Sequence, residues 1–249
     1  MLDPGFLHFV AVGFAAQLVD GALGMAFGVV STTALIALGV PPAAASAGVY
    51  AVETVTTGVS GLSHLLLRNI AWPLFLRIVV PGVGGAILGA CLLATIPAEK
   101  ARPLVQAYLA VVGLWIFWRG LRHLHVERPP RFVAPLGLAG GFLDAAGGGG
   151  WGPIVTSNLL IQGGTPRTVV GTVNAAEFFV TAAPTGTFLA VLGPGLVSRA
   201  MLGLLVGGVL AAPLGAFLAR RLAADTLMIL VGLVLTATSL FGIVRALTG

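Results

Sequence analysis

Apolar residues run through this chain in stretches too long for a water-soluble core, and the polar residues that interrupt them recur at a fixed interval. The first run, Phe6–Leu38, is broken by Gln17, Asp20, Gly21 and Gly24. Apolar stretches follow at 42–66, 72–96 and 103–121, each near the ~20 residues a membrane helix requires. A polar link from Arg119 to Arg131 comes next, with Glu127 and the pair Pro129-Pro130. A second broken run occupies 132–162, and helices are predicted near 167–192, 197–219 and 226–247. The pattern predicts an all-α polytopic membrane protein. It has two homologous repeats of about 120 residues, each a glycine-broken first segment, crossing or re-entrant, plus three transmembrane helices.

The repeat can be read position by position. A shift of 124 places Asp20 on Asp144, Gly24 on Gly148, Gly28 on Gly152, Thr32 on Thr156, Pro42 on Pro166 and Glu53 on Glu177. Further on the register slips by two, so that Gly89 meets Gly215 and Arg119 meets Arg245. The halves are 1–126 and 127–249, and two pseudo-symmetric halves are the plan of many secondary transporters. In hydrocarbon every backbone group must be satisfied internally, so the broken segments persist only if packed in protein or lining a cavity.

Each broken segment would reach about 50 Å as one helix, against a hydrocarbon thickness of about 30 Å. A long tilted crossing gives four spans per half and parallel repeats. A fold-back gives three spans per half and inverted repeats. The crossing puts eight of the thirteen basic residues on one side, the fold-back nine. Length and the mid-segment glycines favour the fold-back. Both readings place the 119–131 link in the cytoplasm, where short loops are rich in Lys and Arg.

Composition narrows the function classes. The chain is 57% hydrophobic and 8% charged, where a soluble domain carries about 25% charged residues. The net charge of +5 is explained by arginines at helix ends and in loops, so it signals topology and not nucleic acid. Residues 1–12 lack Lys and Arg, so no cleavable signal peptide is expected. The single Cys91 excludes an intramolecular disulfide and a thiolate metal cluster, and no cofactor is expected. No HExxH and no Ser–His arrangement lies at useful depth, which argues against an intramembrane hydrolase and for a non-enzyme.

Candidate chemistry concentrates at the breaks. Asp20, Glu53, Asp144 and Glu177 fall inside predicted membrane segments, where a charge costs at least about 2.5–3.5 kcal/mol. They are candidates for carrying a coupling proton. For Asp20 and Asp144, beside the breaks, capping of backbone N–H groups is an equal reading. Gly147, Gly148, Gly149, Gly150, Trp151 and Gly152 precede Pro153. That order predicts a half-helix starting near Pro153, its N-terminal amides turned inward as an anion site. Thr156 and Asn158 follow within two turns, with Gly24 and Thr32 in the matching stretch of half one. The competing reading of these glycines is close helix packing through GxxxG. Asn174 precedes Glu177, and Tyr50 precedes Glu53, by three residues, so each pair shares a helix face. These residues complete the candidate substrate-binding set. His64, near a helix end, is expected at the membrane interface, as are Trp72, Trp115 and Trp118.

The segment Gly13–Pro42 with its QLVDGALGMAFG core, its echo GFLDAAGGGGWGPIV at 141–155, and the stretches ASAGVYAVETVTTG (45–58) and VVGTVNAAEFFVTAAP (169–184) resemble the TauE/SafE family of sulfite and sulfonate exporters. The resemblance covers both repeats. It implies a multi-pass protein of the bacterial inner membrane that moves a small inorganic or organic sulfur oxyanion, coupled to protons. It also points to the glycine-rich breaks and the four buried acids as the functional positions. Half one shows LGMAFG where half two has the fuller glycine run. A passive anion channel or uniporter, an uptake permease and a non-transporting assembly factor are the alternatives. A homo-oligomer is compatible with the sequence.

Overall fold

The computed structural model describes residues 4–25, 27–37, 42–93, 110–111, 113–122, 128–147, 151–192 and 198–248. Among these residues the regular structure is all helical. It comprises α1 (Pro4–Leu23), α2 (Phe27–Ala37), α3 (Pro42–Leu66), α4 (Trp72–Leu93), α5 (Val133–Gly147), α6 (Trp151–Ile161), α7 (Pro166–Leu192), α8 (Arg199–Arg221) and α9 (Ala224–Thr248). A further helical stretch covers 113–121. Among the described residues four helices are long and apolar enough to cross a membrane: α1, α4, α8 and α9. The first broken run is interrupted at Gly24, between α1 and α2; in the second, α5 ends at Gly147 and α6 starts at Trp151, with 148–150 outside the described residues.

Helix ends follow local chemistry. Ser198 caps α8, accepting from the Met201 N–H, and Arg220 and Arg221 close its last turn, where positive charge suits the carbonyl end of the dipole. At the end of α3, Asn69 N–H bonds His64 O and Arg68 N–H bonds Leu65 O, a Schellman closure. Arg68 holds its left-handed position at φ +57°. The end of α6 repeats the motif with a glycine in that place: Gly163 has φ +96°, and Gly164 N–H bonds Leu159 O.

The helices pair so as to bring the breaks together. α1 lies along α8 and α5 along α4. Both pairs approach closely through glycine: a Cβ at Gly215 would sit 2.8 Å from Gly21 Cα, and one at Gly89 would press on the Phe142 carbonyl. Lipid offers no hydrophobic drive between helices, so such close backbone packing holds them. α3 and α7 cross antiparallel, with Gly61 on Ala175, Gly58 on Phe178, and Thr54 on Thr181 and Thr185 at 3.3 and 2.8 Å. These two helices are long but threaded with hydroxyls. Thr57, Thr181 and Thr185 each donate to the carbonyl four residues back, which satisfies them inside an apolar bundle.

The start of α5 lies beside the end of α6. Gln162 Oε1 accepts the backbone N–H of Arg131 at 2.9 Å and of Phe132 at 3.3 Å, and Arg128 N–H bonds Gly163 O at 2.7 Å. Arg119 Nη1 donates to Ile161 O at 2.8 Å, so the 113–121 helix ends at the same place.

Candidate functional site

The two breaks touch in the interior of the bundle. Gly24 holds φ +73°, a conformation open to glycine at no steric cost, and its carbonyl accepts from Thr156 Oγ1 of α6 at 2.9 Å. Gly152 faces the same point: a Cβ there would overlap the Gly24 carbonyl oxygen and stand 2.9 Å from Met25 Cα. The backbone of the first break therefore packs directly on the backbone at the start of α6.

Carboxylates sit at the start of both half-helices that leave the breaks. Asp144 Oδ1 accepts the Trp151 N–H at 2.9 Å, the first amide of α6. Asp20 accepts the Phe27 N–H, the first amide of α2, and Glu53 accepts the adjacent Gly28 N–H. Helix starts leave four N–H groups unbonded and carry partial positive charge, which is why acids settle there. These contacts give Asp20 and Asp144 the capping geometry. All four acids are nearly buried, at 1% exposure for Asp20, 5% for Glu53, 2% for Asp144 and 4% for Glu177. Glu177 lies within electrostatic reach of Asp20, Glu53 and Asp144, and Glu53 within reach of Asp144 and Asp20, so the four acids share one region of the interior. Glu177 Oε2, Gln17 Oε1 and Ser31 Oγ are buried with no hydrogen-bond partner among the described residues.

Tyr50 and Asn174 each reach across to the other half. Tyr50 Oη donates to the Asp144 carbonyl, and Asn174 Nδ2 donates to the Asp20 carbonyl at 3.2 Å. Each stabilises the carbonyl end of a half-helix just before its break. Asn174 also donates to Val170 O at 3.4 Å and accepts from Ser60 Oγ at 2.8 Å, so its hydrogen-bonding capacity goes into the fold. Trp151 is fully buried in the main apolar core, with Nε1 on Val173 O at 3.2 Å and its ring in the space left by Gly82 and Gly140. Asn158 Nδ2 donates to Ile154 O at 2.7 Å. Gly147 ends α5. Gly148, Gly149 and Gly150 lie outside the described residues, as does the side chain of Thr32.

His64 departs from its expected interfacial place. It is fully buried, with Nε2 at 2.9 Å from Gly21 O and Nδ1 at 3.0 Å from Asn69 Nδ2. Asn69 in turn donates to Ala216 O at 3.1 Å and accepts from Arg167 Nε at 2.8 Å. An amide donor on Nδ1 and a carbonyl on Nε2 set a neutral ring with its proton on Nε2. The chain Arg167–Asn69–His64 ties the end of α1 to α3, α7 and α8. Its partners stand up to 147 residues apart, which is why position along the chain did not reveal it. Thr54 and Thr181, on matching helices of the two halves, meet directly, with Thr185 beside them. Among the described residues no three His, Cys, Asp or Glu side chains come together as metal ligands.

Comparison with known proteins agrees with this architecture. The sulfite exporter TauE/SafE family profile matches residues 9–242. A protein of Bacillus subtilis (strain 168) described as "Probable membrane transporter protein YtnM" is 40% identical over 233 residues, covering 90% of this chain and 78% of the relative. No solved structure matches. A family match over nearly all of the chain, a relative aligned over 90% of it and four membrane-length apolar helices among the described residues lead to one conclusion: this chain is a multi-pass membrane protein of the sulfite exporter TauE/SafE family.

Proposed function

We propose that this chain is a secondary transporter that exports a small sulfur-containing anion, sulfite or an organosulfonate, coupled to protons. Transport proceeds by alternating access around the point where the two breaks meet. The observation that carries this reading is the contact of Gly24 with Gly152 and Thr156 inside a cluster of four buried acids. Irregular backbone at membrane depth is found where it is enclosed by protein or lines a path, and intramembrane acids mark ion and proton pathways.

The antiparallel crossing of α3 and α7, which occupy matching places in the two sequence repeats, supports an inverted repeat. So does the return of α6 to the start of α5, which supports a re-entrant first segment. On this reading the 119–131 link faces the cytoplasm of a bacterial inner membrane, in keeping with its arginines. The acids supply the coupling. An anion about 8 Å from a carboxylate meets a repulsion of roughly 2 kcal/mol at an effective dielectric near 20. Four such charges would expel it, so the anion is held when the carboxyls carry protons. The buried Glu177 Oε2, with no partner among the described residues, is the first candidate for that proton.

The test is sulfite flux into proteoliposomes with and without an imposed pH gradient, for wild type and Glu177→Gln. Gradient-driven flux that Glu177→Gln uncouples is the expected result. Gradient-independent flux in both proteins would identify a channel or uniporter and overturn the coupled mechanism.

A further inference from the structure

A second polar feature lies away from the acids. A cleft of about 410 Å³ opens at the surface where the α3–α4 turn, the α6–α7 turn and the link before α5 converge. Its walls carry Arg77 of α4 and Arg128 of the link, with Thr165 and Thr168 opposite. Among the described residues no acidic side chain lines the cleft beside Arg77 or Arg128, and Arg77 makes a long contact, 3.4 Å, to the Arg131 carbonyl.

The cleft is built and not incidental. The link is pinned by Arg128 N–H on Gly163 O and by the Gln162 side chain on Arg131 and Phe132. Pro129 and Pro130 stiffen one wall. Ala71 N–H donates to Thr172 Oγ1 at 2.9 Å, fixing the start of α4 against α7. Both α4 and α7 begin at the rim, at Trp72 and Pro166, so two positive dipole ends add to the two arginines. Paired guanidiniums with hydroxyls nearby are the chemistry that holds sulfur and phosphorus oxyanions.

We infer that this cleft is an anion site at the membrane surface, separate from the central breaks, which holds a small oxyanion through Arg77 and Arg128. Its ligand is either a free divalent oxyanion or the phosphate of an anionic lipid headgroup. The cleft is also close to the breaks along α7: Val169 lines it, and Val170 packs on Gly24. An anion held here would wait about one helical turn from the interior. The inference concerns binding alone and stands or falls apart from transport.

The experiment uses the full chain, purified and delipidated in a neutral detergent. Radiolabelled sulfate binding is measured by equilibrium dialysis, and phosphatidylglycerol retention by native mass spectrometry. The variants are Arg77→Gln, Arg128→Gln, the double variant and Arg77→Lys. Both arginines are exposed, so the variants fold, and an unchanged thermal midpoint verifies it. At least a tenfold loss of affinity from each Gln variant is expected, with partial recovery in Arg77→Lys. Loss confined to sulfate identifies a free oxyanion, and loss confined to phosphatidylglycerol identifies a lipid headgroup. Equal binding of both probes by wild type and the double variant would overturn the inference, as would a wild type that binds neither.

Discussion

Replacing Gly152 by alanine tests whether the two breaks are held together by backbone contact. The new Cβ would stand 2.9 Å from Met25 Cα and would overlap the Gly24 carbonyl oxygen. Carbon atoms meet comfortably at about 3.5 Å, so the half-helix must retreat by roughly 0.6 Å. Neither obstacle is a flexible side chain; both are backbone. Thr156 lies one turn along the same face of α6, and its 2.9 Å bond to Gly24 O would be stretched toward the limit of hydrogen bonding. Overpacking costs typically about 1–3 kcal/mol, and a weakened buried hydrogen bond adds about 1 kcal/mol. A total near 2–4 kcal/mol corresponds to a fall of roughly 4–16 °C in a chain of this size. The assay is the thermal midpoint of the detergent-solubilised protein, with Gly84→Ala as control, because a Cβ at Gly84 meets nothing within 4 Å. If Gly152→Ala melts with Gly84→Ala and wild type, the breaks do not rest on each other and the site geometry argued above is wrong.

Asp144→Ala should lose the Trp151 amide cap and destabilise by about 0.5–2 kcal/mol. Asp144→Asn, which keeps an acceptor oxygen, should melt close to wild type, and equal loss in both would reject the capping role. Asn69→Ala removes partners from His64, Ala216 O and Arg167 together. It should lower stability by about 2–4 kcal/mol, read as a drop in midpoint that His64→Ala does not deepen, since both act on one network. Arg68→Gly relieves the left-handed backbone at φ +57°. A stabilisation of about 1 kcal/mol is expected, and a lowered midpoint would show that the Arg68 side chain holds the turn. Thr156→Val leaves the Gly24 carbonyl without its donor and should cost about 1–3 kcal/mol, visible as a lower midpoint than that of Thr168→Val.

The helices were legible in the chain because hydrophobic length and punctuation are local properties. Stretches expected at 42–66 and 167–192 emerge as Pro42–Leu66 and Pro166–Leu192, and the first break falls at Gly24. The repeat also named Asp20, Glu53, Asp144 and Glu177 as special, since a buried acid without a reason is too costly to occur in matched pairs. What each group touches was not legible. Tyr50 and Asn174 were placed with the acids of their own helices, yet their polar atoms reach the carbonyls of the opposite half. Trp151, expected near the binding cavity, has its ring in the apolar core. His64 was expected at the interface, and a three-helix network buries it. The sequence by itself determined that this is a broken-helix membrane bundle and which residues would have to be explained. Only the tertiary structure decided that the first break meets the start of α6, because that contact joins residues more than a hundred positions apart, as Thr156 and Gly24 do. Periodicity records which face a residue occupies, and it carries no information about the partner that face will meet.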